Sequence, residues 1–311
     1  MTEPRPSRIL CLGGAAVDRT YRTRSPARLG TSNPAVATLS FGGVARNVAE
    51  SLARLGSDVA LVSRVGDDPG GAALLETLHA AGADVSGLER IAGAASAEYV
   101  AVLDADGSLV VGLAAMDLLG GLDAAFVARA AERLADAALV FAEANCAADA
   151  VADLVRRARA APWRLALDAV SVAKSARLPG DLTGVAYLFC ARDEAEALVG
   201  APEEPEALAR ALVTRGAGAA IVTLGPDGLV VADADGARRL PGAPAPVVDV
   251  TGAGDALIAG TLHALCSGEP LDSALSAGQA LARLAISVQG AVRADLTPAL
   301  LAAARGRTRI A

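Results

Sequence analysis

Short apolar runs alternate with longer segments of helical periodicity along most of this 311-residue chain. The runs have the length of buried strands, and the segments between them are long enough to be crossover helices. Strands connected through helices pair in parallel, with helices covering the sheet. The sequence therefore predicts an α/β fold with strands at Ile9–Leu12, Val59–Val65, Leu139–Ala142, Leu165–Asp168, Tyr187–Cys190, Ala220–Leu224, Leu229–Ala232 and Val247–Val248.

The same periodicity predicts helices at Val44–Leu55, Ala72–Ala81, Ala124–Ala135, Ala148–Ala160, Glu194–Val199, Pro205–Thr214, Ala256–Ser267 and Leu271–Ser287. Two segments, 19–40 and 96–114, break the alternation, and the second contains a hairpin turn at Asp104–Gly107. Hairpins do not belong in a parallel core. We therefore expect one domain, 1–311, that carries a small β lid built from these two insertions.

Composition narrows the class of partner. The chain is 53% apolar and has a net charge of −7, so it can bury a large core but offers no basic face for nucleic acid or for a membrane surface. No apolar stretch is long enough for a membrane span or a signal peptide, which predicts a cytoplasmic protein. The four cysteines are scattered singly, and the two histidines lie far apart in sequence, so neither a disulfide framework nor a metal site is expected from them. A small-molecule partner is the remaining expectation.

A glycine-rich turn follows Val248 and reads Asp249-Val250-Thr251-Gly252-Ala253-Gly254-Asp255. We interpret Pro246 to Val248 as a strand that enters the turn, and the residues from Ala256 onward as a helix. Glycines at 252 and 254 let backbone N–H groups approach a ligand, and the helix N-terminus favours an anion there. Asp255 would lie in the first helical turn, where its carboxylate can accept a proton from a hydroxyl. Isolated turns of this kind are usually ordinary helix starts with a capping carboxylate.

A second group of polar residues lies near the amino end. Asp18 follows the first strand and can hydrogen-bond a diol, while Gly42 and Gly43 precede a helix that carries Asn47. Taken singly, Asp18 could be a turn-forming carboxylate, and Asn47 could belong to a polar helix face. The chain contains neither a P-loop sequence nor a dinucleotide-binding fingerprint.

Together these motifs resemble those of the ribokinase-like (PfkB) family of carbohydrate and nucleoside kinases, whose signature reads D-T-x-G-A-G-D. The resemblance covers nearly the whole chain and implies a three-layer α/β/α core, a mainly parallel sheet and a lid that often mediates homodimerisation. It also implies that Asp18, Gly42, Gly43 and Asn47 bind the acceptor. Asp255 would be the general base, and the amides of Gly252, Ala253 and Gly254 would stabilise the transferred phosphoryl group.

The resemblance extends to the donor side. Thr223, Gly225 and Gly228 match a T-x-G-x-x-G turn which, with Thr251, Gly252 and Gly254, would bind ATP. Glu194 matches the acid of an N-x-x-E segment that organises Mg²⁺ through water, although Ala191 replaces its asparagine. Asp249 matches a residue of a monovalent-cation site and would bind K⁺. At position 16, alanine replaces an asparagine that is common in the family.

Smaller matches point to the acceptor. Thr31-Ser32-Asn33-Pro34, Gly42 to Glu50 and Asp168 to Lys174 resemble segments of pseudouridine kinases, a group within this family, and imply that Asn33 recognises the uracil edge. As an alternative, Asn33 is a turn-forming residue before proline. Two further alternatives stay open: a kinase for another nucleoside or a free sugar such as ribose, and a catalytically silent nucleoside-binding or regulatory protein.

Overall fold

The computed structural model describes residues 8–307. Their strands, in chain order, are β1 Ile9–Leu12, β2 Ala16–Thr23, β3 Ala35–Gly42, β4 Val59–Gly66, β5 Asp84–Ile91, β6 Glu98–Leu103, β7 Leu109–Ala115, β8 Leu139–Glu143, β9 Arg164–Asp168, β10 Val185–Ala191, β11 Ala219–Thr223, β12 Gly228–Asp233 and β13 Gly236–Pro241. Nine of them form the main sheet in the order β13-β12-β11-β10-β9-β8-β1-β4-β5. Seven neighbouring strands, from β11 to β5, are parallel, and β12 and β13 add an antiparallel hairpin at one edge.

The helices of this part of the chain are α1 Val44–Arg54, α2 Pro69–Ala80, α3 Ala124–Arg129, α4 Ala131–Ala135, α5 Ala148–Ala158, α6 Val172–Ser175, α7 Arg192–Val199, α8 Pro205–Thr214, α9 Ala253–Cys266, α10 Leu271–Ala285 and α11 Pro298–Arg307. They pack in two layers. Residues of α1, α2, α9 and α10 share one core with one face of the sheet, while residues of α3, α4, α5 and α8 share a second core with the other face. Strand β1 shows the division, because Ile9 and Cys11 belong to the first core and Leu10 and Leu12 to the second. This arrangement confirms the predicted α/β/α class.

The remaining four strands form a separate sheet, in the order β3-β2-β6-β7, which we call the lid. Its pairing register assigns side chains to faces. Asp18 lies opposite Tyr99, which lies opposite Ala114, so these residues share one face. Arg19 lies opposite Leu39 and so belongs to the other face. The segments 19–40 and 96–114 fall within this sheet and its loops.

In the main sheet, β4 and β5 lie on one side of β1, and β8 and the strands after it lie on the other side. The strand order therefore reverses between β1 and β8. In open α/β sheets, ligands bind outside the carboxyl ends of the strands at such a point. Gly13 and Gly14 follow β1, and Glu143 ends β8. No helix among residues 8–307 is long and apolar enough to cross a bilayer.

Several predicted elements differ from the structure. The strand predicted at Val247–Val248 is wrong, because these valines lie exposed in the loop between β13 and α9. The helix predicted at Ala124–Ala135 is divided at Ala130, whose ψ of 4° interrupts it. Strands β5 and β13, helix α6 and helix α11 were not predicted.

Candidate active site

Helix α9 begins directly after a glycine that no other residue can replace without strain. Gly252 caps the helix with φ of 76°, and a Cβ there would lie 2.2 Å from the carbonyl oxygen of Ala291. Both features demand glycine. The N–H of Ala253 makes a long bond of 3.2 Å to the carbonyl of Val250, so an anion at the helix start competes only with a weak bond.

Asp255 is the third residue of α9 and faces a residue of α1. The amide Nδ2 of Asn47 donates to its Oδ2 at 2.7 Å, across 208 positions of sequence. Burial raises the pKa of Asp255 to about 6, against the opposing effects of the Asn47 hydrogen bond and the charge of Arg46. The carboxylate is thus ionised at neutral pH and is a stronger base than an exposed aspartate.

A cleft of about 940 Å³ opens between the lid and the main sheet. The predicted acceptor residues Asp18, Gly42, Gly43 and Asn47 all line it. Burial raises the pKa of Asp18, and Arg46 opposes this shift. Gly43 has φ of 99°, and a Cβ at this position would lie 2.3 Å from the carbonyl oxygen of Gly14, so the turn after β1 packs directly on the start of α1. The structure therefore brings these four predicted residues to one wall.

The opposite wall contains polar residues to which we assigned no role from the sequence. Asn145, Lys174 and Arg177 line the cleft, and the Nζ of Lys174 donates to the Oδ1 of Asn145. The guanidinium of Arg177 donates to the carbonyl of Asn145 at 3.0 Å. Lys174 ends the segment, Asp168 to Lys174, that resembles pseudouridine kinases, so the sequence did offer a signal that this residue takes part in the site. For Asn145, which follows β8 without a motif, the only signal was its place after a strand end.

Two carboxyl groups with raised pKa values, those of Glu143 and Asp168, lie beneath this wall. Glu143 is fully buried, and it accepts the N–H groups of Gly14 and Asn145, each at 2.5 Å. Burial raises its pKa to about 7. At the end of β9, burial raises the pKa of Asp168, and the charges of Asp255, Glu194 and Glu143 add to the effect. The carboxyl groups at the ends of β8 and β9 therefore keep their protons to higher pH than exposed carboxyl groups do.

Val170 follows Asp168 in a backbone conformation that β-branched residues rarely adopt. Its φ is 67°, and the N–H of Ser171 donates to the carbonyl of Ala169 at 2.8 Å, which closes a three-residue turn around it. Val170 lines the acceptor cleft. Backbone strain is typical of functional sites.

The donor-side residues surround a second pocket of about 430 Å³. Thr223, Gly225 and Gly228 form one wall of it, and Gln279, Ala282 and Arg283 of α10 form the opposite wall. The exposed Val247 and Val250 form part of the lining, as do Ala253 and Gly254. The pocket is therefore mostly apolar, and it ends at the start of α9.

Thr251 lines the acceptor cleft rather than this pocket. Its neighbours in sequence, Val250 and Ala253, line the donor side. The glycine turn therefore separates the two spaces.

The two residues predicted to hold ions are bonded to backbone groups. Glu194 is buried, and its Oε2 accepts the N–H of Ala191 at 2.7 Å, so it caps its own helix; burial raises its pKa. Asp249 accepts the N–H groups of Thr251 at 2.9 Å and of Gly290 at 3.0 Å. Burial raises the pKa of Asp249, but these bonds outweigh it and leave the pKa below its usual value. Within residues 8–307 no three His, Cys, Asp or Glu side chains converge as a metal site.

Asn33 is not brought to the cleft. Its Oδ1 accepts the N–H of Arg28 at 2.9 Å, and its Nδ2 donates to the carbonyls of Arg28 at 2.9 Å and Thr31 at 3.1 Å. The side chain therefore closes the loop between β2 and β3.

A family model for pfkB family carbohydrate kinases matches residues 6–298. The chain belongs to this family. As a pfkB-family kinase, it is a phosphotransferase with an alcohol group as acceptor and acts on a sugar or nucleoside. The silent binding protein considered above is thereby set aside.

Similar proteins include both nucleoside and sugar kinases. The chain is 28% identical to pseudouridine kinase from Escherichia coli (strain K12) over 297 residues, which cover 93% of each chain. It is 26% identical to guanosine-inosine kinase from Exiguobacterium acetylicum, with 95% of this chain and 98% of that protein covered. The structure of Arabidopsis thaliana ribokinase complexed with ribose and ATP shares the fold, with a TM-score of 0.83, 21% identity, and coverage of 96% of this chain and 98% of that one.

Proposed function

We propose that this protein transfers the γ-phosphoryl group of ATP to the 5′-hydroxyl of pseudouridine, with Asp255 as the general base. The observation that carries the proposal is the hydrogen bond of 2.7 Å between Asn47 and Asp255. It joins the segment that carries Gly42, Gly43 and Asn47 to the glycine-rich turn 249–255, which we call the anion-binding turn. This contact lies at the boundary between the two pockets. A hydroxyl in the cleft and a phosphate at the start of α9 would meet at this carboxylate.

In the proposed reaction, the acceptor oxygen forms a bond to the γ-phosphorus while the bond between that phosphorus and the leaving oxygen of ADP breaks. Asp255 takes the hydroxyl proton and later releases it to solvent. Amides of Gly252, Ala253 and Gly254 stabilise the charge on the transferred group, because their positions are fixed before the reaction.

ATP fits the donor pocket by chemistry. Purine rings bury well against the apolar surfaces of Val247, Val250 and Ala282, and the phosphates would extend toward the helix start, where the dipole favours negative charge. When bound, Mg²⁺ would neutralise donor phosphate charge. Glu194 would hold it through water, since one carboxylate oxygen already caps α7. Such a metal would take most of its ligands from phosphate and water, as Mg²⁺ commonly does.

K⁺ is proposed at the turn that contains Asp249. Its carboxylate joins residue 251 of the anion-binding turn to Gly290 of the loop after α10. A monovalent cation in contact with these loops would stabilise the turn on which the donor phosphates lie. The test is dependence of turnover on KCl, with NaCl at equal ionic strength as the control.

Pseudouridine is proposed as the acceptor because of the matched segments and the polar far wall. A uracil ring offers carbonyl oxygens and N–H groups, which Lys174, Arg177 and Asn145 could bind. Asn33 would contribute by closing the lid loop, and would contact the base directly only if it released the bonds to Arg28 and Thr31. Another nucleoside, such as guanosine or inosine, or free ribose remains the second candidate, because the same cleft volume admits them.

The deciding experiment is ATP turnover with Mg²⁺ and K⁺ across pseudouridine, uridine, cytidine, adenosine, guanosine, inosine, ribose and fructose. Pseudouridine should give the highest kcat/KM. A higher value for another acceptor would replace the substrate and keep the mechanism. Absence of turnover with every acceptor, in protein shown to be folded by circular dichroism, would contradict the proposal.

We also propose that two copies pair through the outer face of the lid, the face opposite Asp18. That face carries Tyr21, Leu39, Val111 and Leu113, all exposed, with Leu39 at 51% and Leu113 at 58%. Adjacent exposed apolar side chains on one sheet are typical of a protein interface. A second copy would present the same face, as two-fold symmetry requires.

A further inference from the structure

We propose that Arg46 is a positioning residue for Asp255: its guanidinium fixes the orientation of the Asn47 amide, so that this amide always presents its N–H to the base. The inference rests on the proposed role of Asp255. Arg46 does not line the acceptor cleft, and it acts through its neighbour in the sequence.

Arg46 is held by acceptors on three sides. It is 4% exposed, and its Nη1 donates to the carbonyl of Phe41 and to the Oδ1 of Asn47, each at 2.9 Å. Its Nη2 pairs with the carboxylate of Glu50, and its Cζ lies 5.7 Å from the centre of the Phe41 ring. A guanidinium bonded in this way has a fixed position, because its donors lie in one rigid plane.

That position decides which way the Asn47 amide points. The oxygen is taken by Arg46, so the nitrogen faces the other way and donates to Asp255. In the flipped amide, the Asn47 oxygen would face the Asp255 carboxylate and its N–H₂ would face the guanidinium. Both contacts would be repulsive, and a neutral neighbour in place of Arg46 would remove one of them.

The positive charge of Arg46 also favours the ionised form of Asp255. It lowers the pKa of Asp255 and that of Asp18, which burial raises. Among the other carboxylates near this network, Asp168 at the end of β9 has its pKa raised by burial and by the charge of Asp255, so it keeps its proton to higher pH than an exposed aspartate. With Arg46 absent, both the local positive charge and the orienting bond on Asn47 would be lost, and Asp255 would hold its proton at higher pH.

The contacts of Arg46 extend through Glu50 and Arg54 to the loop that packs against the anion-binding turn. Glu50 also accepts from Arg54 at 2.8 Å, and Arg54 donates to the carbonyl of Ala294 at 2.6 Å. Three residues earlier, the carbonyl of Ala291 lies against Gly252. The base and its turn are therefore connected to α1 from two sides.

The test is the pH profile of kcat for the wild type and Arg46→Met, with the acceptor found in the panel. The acid limb of the variant should shift upward by about one pH unit, which makes kcat about 5-fold lower at pH 6 and about 10-fold lower at pH 5, while kcat at pH 8.5 changes far less. Arg46→Lys, which keeps the charge, should recover part of the shift. Arg54→Met is the matched control, because it loses a partner of the same Glu50 without touching Asn47, and its acid limb should stay where the wild type has it.

Arg46→Met could fail to fold because it leaves Glu50 with one partner fewer in a buried site. The double variant Arg46→Met/Glu50→Gln removes both charges and should show the same upward shift. An acid limb unchanged in both variants, with kcat lowered equally at every pH, would overturn the inference and leave the proposed function intact. Lack of turnover in the wild type would instead overturn the role of Asp255, and the inference with it.

Discussion

The carboxylate of Glu143 accepts the backbone N–H of Gly14 at 2.5 Å, across 129 positions of sequence. It thereby joins the ends of β8 and β1, the two strands between which the sheet order reverses. The Gly14 carbonyl in turn lies against Gly43 at the start of α1. A buried side chain without a motif of its own thus supports the wall that carries Asn47.

Glu143→Gln should change how stability depends on pH. Burial raises the pKa of Glu143 to about 7, above the usual 4.5. Between these values the folded chain keeps a proton that the unfolded chain loses, so stability falls as pH rises through this window, by up to roughly 3 kcal/mol. Urea unfolding should show that the free energy of unfolding of the variant, relative to that of the wild type, is higher at pH 8 than at pH 4.5 by about that amount. A difference that is independent of pH would contradict the assigned shift.

Asp255→Asn should lower kcat by about 10²–10⁴-fold while the acceptor still binds, because the amide cannot take a proton. In the wild type, kcat should fall below pH 6, since the pKa of Asp255 is about 6 and only the ionised form acts as a base. Steady-state kinetics from pH 5 to pH 9 would measure both effects. Asp272→Asn, at an exposed carboxylate that pairs with Arg238, serves as the control and should leave kcat unchanged.

Gly252→Ala should destabilise the protein and weaken donor binding. A side chain at φ of 76° costs about 1–2 kcal/mol, and the contact with the Ala291 carbonyl adds to this. We expect a lower Tm and a KM for ATP at least 10-fold higher. Gly254→Ala is the informative control, because a Cβ there meets open space, so its Tm should not fall. Equal Tm values for the two variants would argue against strain at residue 252.

Asn33→Ala should raise the KM for the acceptor roughly 3–10-fold with little change in kcat, since loss of these hydrogen bonds frees the loop between β2 and β3 at the edge of the lid. Asn33→Asp keeps the acceptor oxygen for Arg28 but loses both donated bonds, so it should give a similar effect. If neither variant alters KM, the lid loop has no part in acceptor binding.

Leu39→Asp/Leu113→Asp should dissociate the proposed homodimer, because two buried charges per copy would oppose association. Sedimentation velocity should give a dimer for the wild type and a monomer for this variant. Val36→Asp, at an exposed valine on the opposite face of the lid, should remain dimeric. A wild-type monomer at micromolar concentration would contradict the proposal.

The elements that the sequence predicted well are those whose burial leaves a clear pattern. Helix α8 matches its predicted bounds at Pro205 and Thr214, since proline begins it and apolar positions recur on one face. Strand β5 was missed because it lies at the edge of the sheet, where half-exposed polar residues interrupt the apolar pattern. The strand predicted at Val247 and Val248 is wrong because these apolar residues are exposed and not buried in the sheet, and Val247 lines the donor pocket.

The candidate site was predictable where motifs carry it. Asp18, Asn47 and Asp255 stand in recognisable segments; the structure places Asp18 and Asn47 in one cleft and joins Asn47 to Asp255 by a hydrogen bond. Arg46 and Glu143 were not predicted, because their roles depend on which distant backbone groups they meet. A sequence read from one end to the other gives no sign that Glu143 reaches Gly14.

Adjacent residues of β2 lie on opposite faces of the lid, and the two faces have different proposed functions. Asp18 and Arg19 in β2 point to opposite sides, one toward the cleft and the other toward the exposed apolar surface. Because side chains alternate along a strand, an insertion of one residue within β2 would exchange the two faces. Such a change would turn the acid away from the acceptor and turn apolar side chains into the cleft. Evolution can therefore change the length of β2 only in steps of two residues if both faces are to keep their side chains.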